Sequence, residues 1–143
     1  MKKIVCLFSL FCLYAMLSYG QEKIIPVEQL PAHAKHLTAL YFPAVDISSV
    51  VLESANPPVY KVSLINGATI TYDQLGEWLG AEVKENHVPF SMIPPPIYEY
   101  VLQHHPEIDI VKIRRNPQLY EVLLSNNTEL KFDSDYRLYE VDK

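Results

Sequence analysis

The chain has 143 residues, with 12 basic and 17 acidic side chains, five histidines and two cysteines. That length suits one domain of ordinary size. The acidic balance, a formal charge of −5, argues against nucleic acid and anionic lipid surfaces as partners, since both need positive charge.

The N-terminus reads as a secretory signal. Met1-Lys2-Lys3 supplies a positive start, Ile4 to Leu17 is a largely apolar run, and Ser18-Tyr19-Gly20 puts small residues at the cleavage point before Gln21. The run is short for a membrane anchor and no stop-transfer pattern follows, so no membrane insertion is expected after cleavage at residue 20. Cys6 and Cys12 both fall inside this segment. The mature chain would hold no cysteine, which excludes disulfides, thiolate nucleophiles and cysteine metal sites. Without Lys2 and Lys3 the balance is 10 − 17 = −7. An exported protein without disulfides points to a bacterial periplasm or surface, with stability resting on a hydrophobic core.

Residues 21–143 are expected to form one domain. Gln21 to Val27 reads as a short leader. A helix follows: Pro31 suits a helix start, and Leu30, Ala34, Leu37 and Tyr41 fall at spacings of four, three and four, one helical face. Pro43 ends it, because the residue before a proline avoids helical geometry. Asp46 to Ser54 is a strand candidate, and Asn56-Pro57-Pro58 is a turn that a central strand would not tolerate.

Val59 to Ile65 alternates, with Tyr60, Val62 and Leu64 on one face and Lys61 and Ser63 on the other. Asn66-Gly67 marks a hairpin. A three-residue loop with Gly67 at positive φ puts Ile70 and Tyr72 on the side of Tyr60, whereas a two-residue turn would not. Burial of one apolar face favours the former. Asp73 to Gly76 turns the chain again, and Glu77 to Val83 forms a fourth strand.

After a break over Glu85 to Pro95, the pattern restarts. Ile93-Pro94 matches Leu30-Pro31, Ile97 matches Ala34, Tyr100 matches Leu37 and His104 matches Tyr41, all offset by 63. Tyr120, Val122, Leu124, Asn126, Leu130, Phe132 and Asp133 match Tyr60, Val62, Leu64, Asn66, Ile70, Tyr72 and Asp73 at an offset of 60. Constant offsets of this kind read as two repeats, about 27–84 and 90–143. The expected fold is α+β: each repeat is a helix plus four antiparallel strands. Together they form one sheet of about eight strands with both helices on one face, leaving the other face open.

Pro31 and Pro43, the following strand, and YKVSLINGATITYDQLGEW resemble the PepSY-like family of exported bacterial proteins, many of them from Bacteroidetes and related in fold to the β-lactamase inhibitory protein. Pro94 to Asp133 resembles a second copy, with Asn127 in place of the turn glycine and with Tyr136 and Leu138 in place of Gly76 and Trp78. Asparagine tolerates positive φ better than most residues, so the turn is expected to survive. The resemblance implies a binding or inhibitory module without catalytic residues.

The residues themselves suggest little chemistry. His104-His105 lie about 100° apart on a helix and are not expected to share one ion. By its offset, His104 would take the core place of Tyr41. His33 and His36 lack a visible third ligand. Asp73 and Asp133 read as turn residues whose carboxylates accept from nearby backbone N–H groups. The serines lack a nucleophile elbow, and no phosphate-binding glycine loop is present. No enzyme activity, metal or cofactor is expected.

The open sheet face is the expected site. It would carry Lys61, Ser63, Ile65, Thr69 and Thr71 from the first half, and Glu121, Leu123, Ser125, Glu129 and Lys131 from the second. Trp78 is added as an aromatic anchor, with Tyr98, Tyr136 and Tyr139 as further surface aromatics. Ile65 and Leu123 are expected to cluster as exposed apolar groups on a polar face. The expected partner is another protein or peptide, with inhibition of a hydrolase or peptidase as one form of action. The alternative is a small-ligand carrier with a pocket between sheet and helices, lined by tyrosine and histidine.

Overall fold

The computed structural model describes residues 21–54 and 56–143, so the segment read as a secretory signal lies outside the described residues. Nine strands form a single antiparallel sheet, and each strand pairs with its neighbour in sequence. They are β1 (Glu22–Ile25), β2 (Ile47–Glu53), β3 (Val59–Leu64), β4 (Thr69–Tyr72), β5 (Trp78–Glu82), β6 (Ile110–Arg115), β7 (Leu119–Leu124), β8 (Glu129–Asp133) and β9 (Leu138–Asp142). Helix α1 (Ala32–Tyr41) precedes β2–β5, and α2 (Pro95–His104) precedes β6–β9.

The extra strand is β1, in the segment read as a leader. Glu22 to Ile25 pair with Glu53 to Val50. The four residues are too few to show a period, but β2 needs a partner for its outer N–H and C=O groups. Ile25 is buried against the core while Ile24 stays exposed.

The hairpins follow the expected register. Tyr60 faces Tyr72 and Val62 faces Ile70, around a loop in which Leu64 N–H donates to Ala68 C=O at 2.8 Å and Gly67 has φ 86°. In the second half Tyr120 faces Phe132 and Val122 faces Leu130, with Leu124 N–H donating to Thr128 C=O and Asn127 at φ 68°. Asn66 and Asn126 each accept from the backbone N–H two residues on. The side-chain amide thus closes the loop in both halves, and asparagine carries the positive φ where glycine is missing.

The core lies between the helices and one face of the sheet. Following the register across the sheet, Ile25, Val50, Val62, Ile70, Ala81, Ile113, Val122 and Leu130 form one continuous buried row. Both helices pack on this side. The hydroxyls of Thr38 on α1 and Tyr72 on β4 lie 2.7 Å apart, and the Tyr100 ring on α2 meets Phe132 edge-on at 5.5 Å. The inner stripe of α1 is Ala34 and Thr38, with Leu37 and Tyr41 half-buried beside it. Burying Thr38 is tolerated because its hydroxyl also donates to the Ala34 carbonyl at 2.8 Å.

His104 departs from expectation. It is exposed at the end of α2, stacked on Tyr100 at 4.1 Å, and does not fill the core place of Tyr41. Val101, one turn back, is the buried residue.

Candidate functional site

The face away from the helices is uncovered. Its central row runs Ile24, Val51, Lys61, Thr71, Gly80, Arg114, Glu121, Lys131, Glu140, each facing the next across a strand pair. A second row runs Ser49, Ser63, Thr69, Glu82, Lys112, Leu123, Glu129, Asp142. In these two rows β1 to β4 carry one charge, Lys61, with Glu53 further along β2 as a carboxylate at the groove. The second-half end alternates in sign: Arg114 lies 4.0 Å from Glu121, Lys131 lies 2.8 Å from Glu140, and Lys112 lies 3.8 Å from Glu82. The bond to Glu140, and then its charge, raises the pKa of Lys131. These exposed pairs order the face more than they stabilise it.

A groove of about 700 Å³ crosses the middle of this face. Lys61, Thr69, Thr71 and Glu121 line it, together with Gly80, Glu82, Lys112 and Arg114. Its floor is open because Gly80 has no side chain. A Cβ there would come within 3.1 Å of the Ile113 carbonyl and 3.2 Å of Arg114 Cγ.

The expected residues therefore divide. Lys61, Ser63, Thr69 and Thr71 form one patch on β3 and β4, and Glu121, Leu123, Glu129 and Lys131 another on β7 and β8. Strands β5 and β6 lie between them and supply Gly80, Glu82, Lys112 and Arg114, which sequence reasoning missed. The alternation of Lys112 and Arg114 around Ile113 in IVKIRR was the available signal. Ile65 and Ser125 lie in hairpin loops at the sheet end: Ile65 N–H donates to the Asp46 carbonyl, and Ser125 Oγ accepts from Asp109 N–H. Ile65 and Leu123 do not cluster, since β3 and β7 are four strands apart, roughly 19 Å at the usual spacing.

Trp78 is a correction. It is 5% exposed and lies on the core side, facing Tyr72. Trp78 and Gly80 would share a face in a regular strand, but a register shift between Thr71 and Tyr72 inserts one extra residue and turns Trp78 inward. Arg115 then closes over it. Its guanidinium sits 3.7 Å from the ring centroid, and its Nε donates to the Trp78 carbonyl at 2.8 Å. Glu77 carboxylate oxygens approach Arg115 at 3.8 Å and His33 Nε2 at 3.1 Å. Tyr136 and Tyr139 do reach the surface.

Asp73 and Asp133 act within their turns. Asp73 Oδ1 accepts from Leu75 and Glu77 N–H at 2.9 and 3.0 Å, and Asp133 Oδ1 from Asp135 and Arg137 N–H, both at 2.9 Å. Among the described residues no three histidine, aspartate or glutamate side chains gather as metal ligands.

The profile of the family described as "Putative beta-lactamase-inhibitor-like, PepSY-like" matches residues 58–140. The chain belongs to the PepSY-like family. Among solved structures similar to the chain, a "putative calcium-regulated periplasmic protein" from Bacteroides thetaiotaomicron is 34% identical, with a TM-score of 0.82 over 85% of this chain and 97% of that one. A "putative periplasmic protein" of the DUF2874 family from Bacteroides vulgatus is 31% identical, with a TM-score of 0.82 over 86% and 98%. A second B. vulgatus chain, a "putative periplasmic protein of unknown function", is 26% identical, again at 0.82 over 86% and 100%. No curated protein matches the chain. The periplasm, the place these names give, is also the location expected of this chain, and no helix among its described residues is long and apolar enough to cross a membrane.

Proposed function

We propose that the protein is a non-catalytic binding module that acts on another protein or peptide through the open sheet face. The observation that carries this reading is the groove. It crosses a continuous nine-stranded face that neither helix covers, and it is lined by fixed charges of both signs. Such a surface offers register and specificity to a partner through paired charges. The inhibitor-like family description supports the version in which the partner is a hydrolase or peptidase.

The carrier reading has less support. On the helix side the structure offers a crevice of about 150 Å³, below the roughly 300–1,000 Å³ usual for small-molecule pockets. Calcium regulation describes the B. thetaiotaomicron relative, and the described residues here give it no carboxylate cluster. We also read the two halves as an internal duplication, supported by their equal hairpin registers and equal aspartate turns.

The test is capture from periplasmic extract on the immobilised protein, in parallel with the double variant Lys61→Glu, Arg114→Glu. A partner should be retained by the wild type and lost by the variant, and the free protein should slow that partner's hydrolytic activity stoichiometrically. Equal retention by both forms would place binding elsewhere.

A further inference from the structure

The crevice on the helix side is independent of the groove, because Val101 and Ile110 at its base belong to the core. Its walls are aromatic. The His87 and Phe90 rings stack at 4.1 Å and 6°, and Phe90 meets Tyr98 at 5.0 Å and 57°. His87 Nδ1 is engaged with the Val88 carbonyl at 2.9 Å, which fixes the ring. The rim carries two carboxylates, Glu107 and Asp109, and no lysine or arginine lines the crevice. Phe90 and Leu102 flank the mouth, 54% and 52% exposed.

The first half keeps one of these features, Asp46 at the place of Asp109, and lacks the others. The fourth and eighth residues of α1 are Lys35 and Ala39, where α2 has Tyr98 and Leu102. The turn after α1 puts Ala44 at φ 62°, where the turn after α2 puts Glu107 at φ 65°. The left-handed turn forms in both, so Tyr98, Leu102 and Glu107 are not required to make it.

We propose that this crevice receives an arginine side chain of a basic peptide segment presented by a partner protein. Aromatic faces attract a cation through the ring quadrupole, and guanidinium also stacks flat on them. Carboxylates at the rim complement the same charge with paired hydrogen bonds. The volume admits one side chain and excludes a drug-sized molecule. Phe90 and Leu102 provide apolar surface for the aliphatic stem.

The probe is the blocked tripeptide acetyl-Gly-Arg-Gly-amide, titrated into the protein while the ring and methyl NMR signals of Phe90, Tyr98 and Leu102 are followed. Saturable shifts are expected, with a dissociation constant on the order of 1 mM. The citrulline tripeptide, the same shape without charge, should bind at least about fivefold more weakly. So should the arginine peptide with the variant Glu107→Gln, Asp109→Asn, whose side chains are exposed and whose unfolding temperature should be unchanged. Phe90→Ala should weaken binding similarly. Equal binding of arginine and citrulline, tighter binding of the leucine tripeptide, or no saturable shift at these residues would overturn the assignment.

Discussion

The turn after β4 and the turn after β8 have the same backbone but different residues at the left-handed position, Gly76 at φ 83° and Tyr136 at φ 64°. The difference lies in what stands above. A Cβ on Gly76 would sit 2.8 Å from the backbone nitrogen of Ala34 and 3.1 Å from His33 Cβ, so α1 would have to move. Gly76→Ala should cost about 1–2 kcal/mol for the left-handed conformation. Displacing the helix backbone adds about 1–3 kcal/mol, and a stiffer unfolded chain returns about 0.4–1 kcal/mol. The net is a loss of roughly 1–5 kcal/mol, centred on about 3. At about 3–5 °C per kcal/mol for this size, the unfolding temperature should fall by about 10 °C. Gly76→Asn relieves the conformational part and keeps the clash, so it should remain clearly destabilised. Tyr136→Gly removes conformational strain but loses the Tyr136 ring against Tyr120, 5.4 Å between centroids. These contributions are each about 1 kcal/mol and should nearly cancel. Urea unfolding of the purified variants measures all three. A Gly76→Ala protein within about 0.5 kcal/mol of wild type would refute the reasoning, because α1 would then be free to part from the turn at no cost.

Burial pushes the Tyr72 hydroxyl up to about 12, opposed in part by its bond to Thr38. The folded value lies above the unfolded one, near 10, so the stability it contributes is complete below pH 10 and lost as pH rises through 12. Roughly 2–3 kcal/mol should disappear over that window in wild type beyond what Tyr72→Phe loses, as read by chemical denaturation at stepped pH. Arg115→Ala should cost about 1–3 kcal/mol, since it removes the cover over Trp78 and a hydrogen bond joining β6 to β5, and near-ultraviolet dichroism should show the tryptophan exposed. Asp133→Ala leaves the Asp135 and Arg137 N–H groups without their acceptor and should cost about 1–2 kcal/mol in the same denaturation assay; Asp73→Ala should match it.

Where one local rule decided the outcome, the sequence was readable. Alternation in VYKVSLI together with Asn66-Gly67 left a single register that buries Tyr72, and the same logic carried over to Asn126-Asn127. Trp78 was illegible because strand parity assumes a regular ladder, and one extra residue reverses it. Ile65 and Leu123 share a polarity but not a neighbourhood, because distance along a sheet depends on strand order. The groove needed β5 and β6 side by side, where Gly80 aligns with Arg114, Ala81 with Ile113 and Glu82 with Lys112, a pairing between strands separated by residues 83–109 of the chain. The crevice depends on a stack of His87 and Phe90 within a connecting segment and on the tilted contact of Phe90 with Tyr98 on α2, which have no signature in spacing.

Every strand of this sheet pairs with the one before it in the chain. Six of the eight connections are short hairpins with small loop-closure entropy, and the two longer ones, β1 to β2 and β5 to β6, are each shortened by a helix. A chain delivered end first in extended form can therefore build the sheet in order of arrival, each new strand closing the edge left by the last. At any moment a single growing edge is exposed to misassociation, and it is covered as soon as the next hairpin turns. Sequential pairing thus makes the order of synthesis and the order of assembly the same, which is an advantage for a protein that must fold after export.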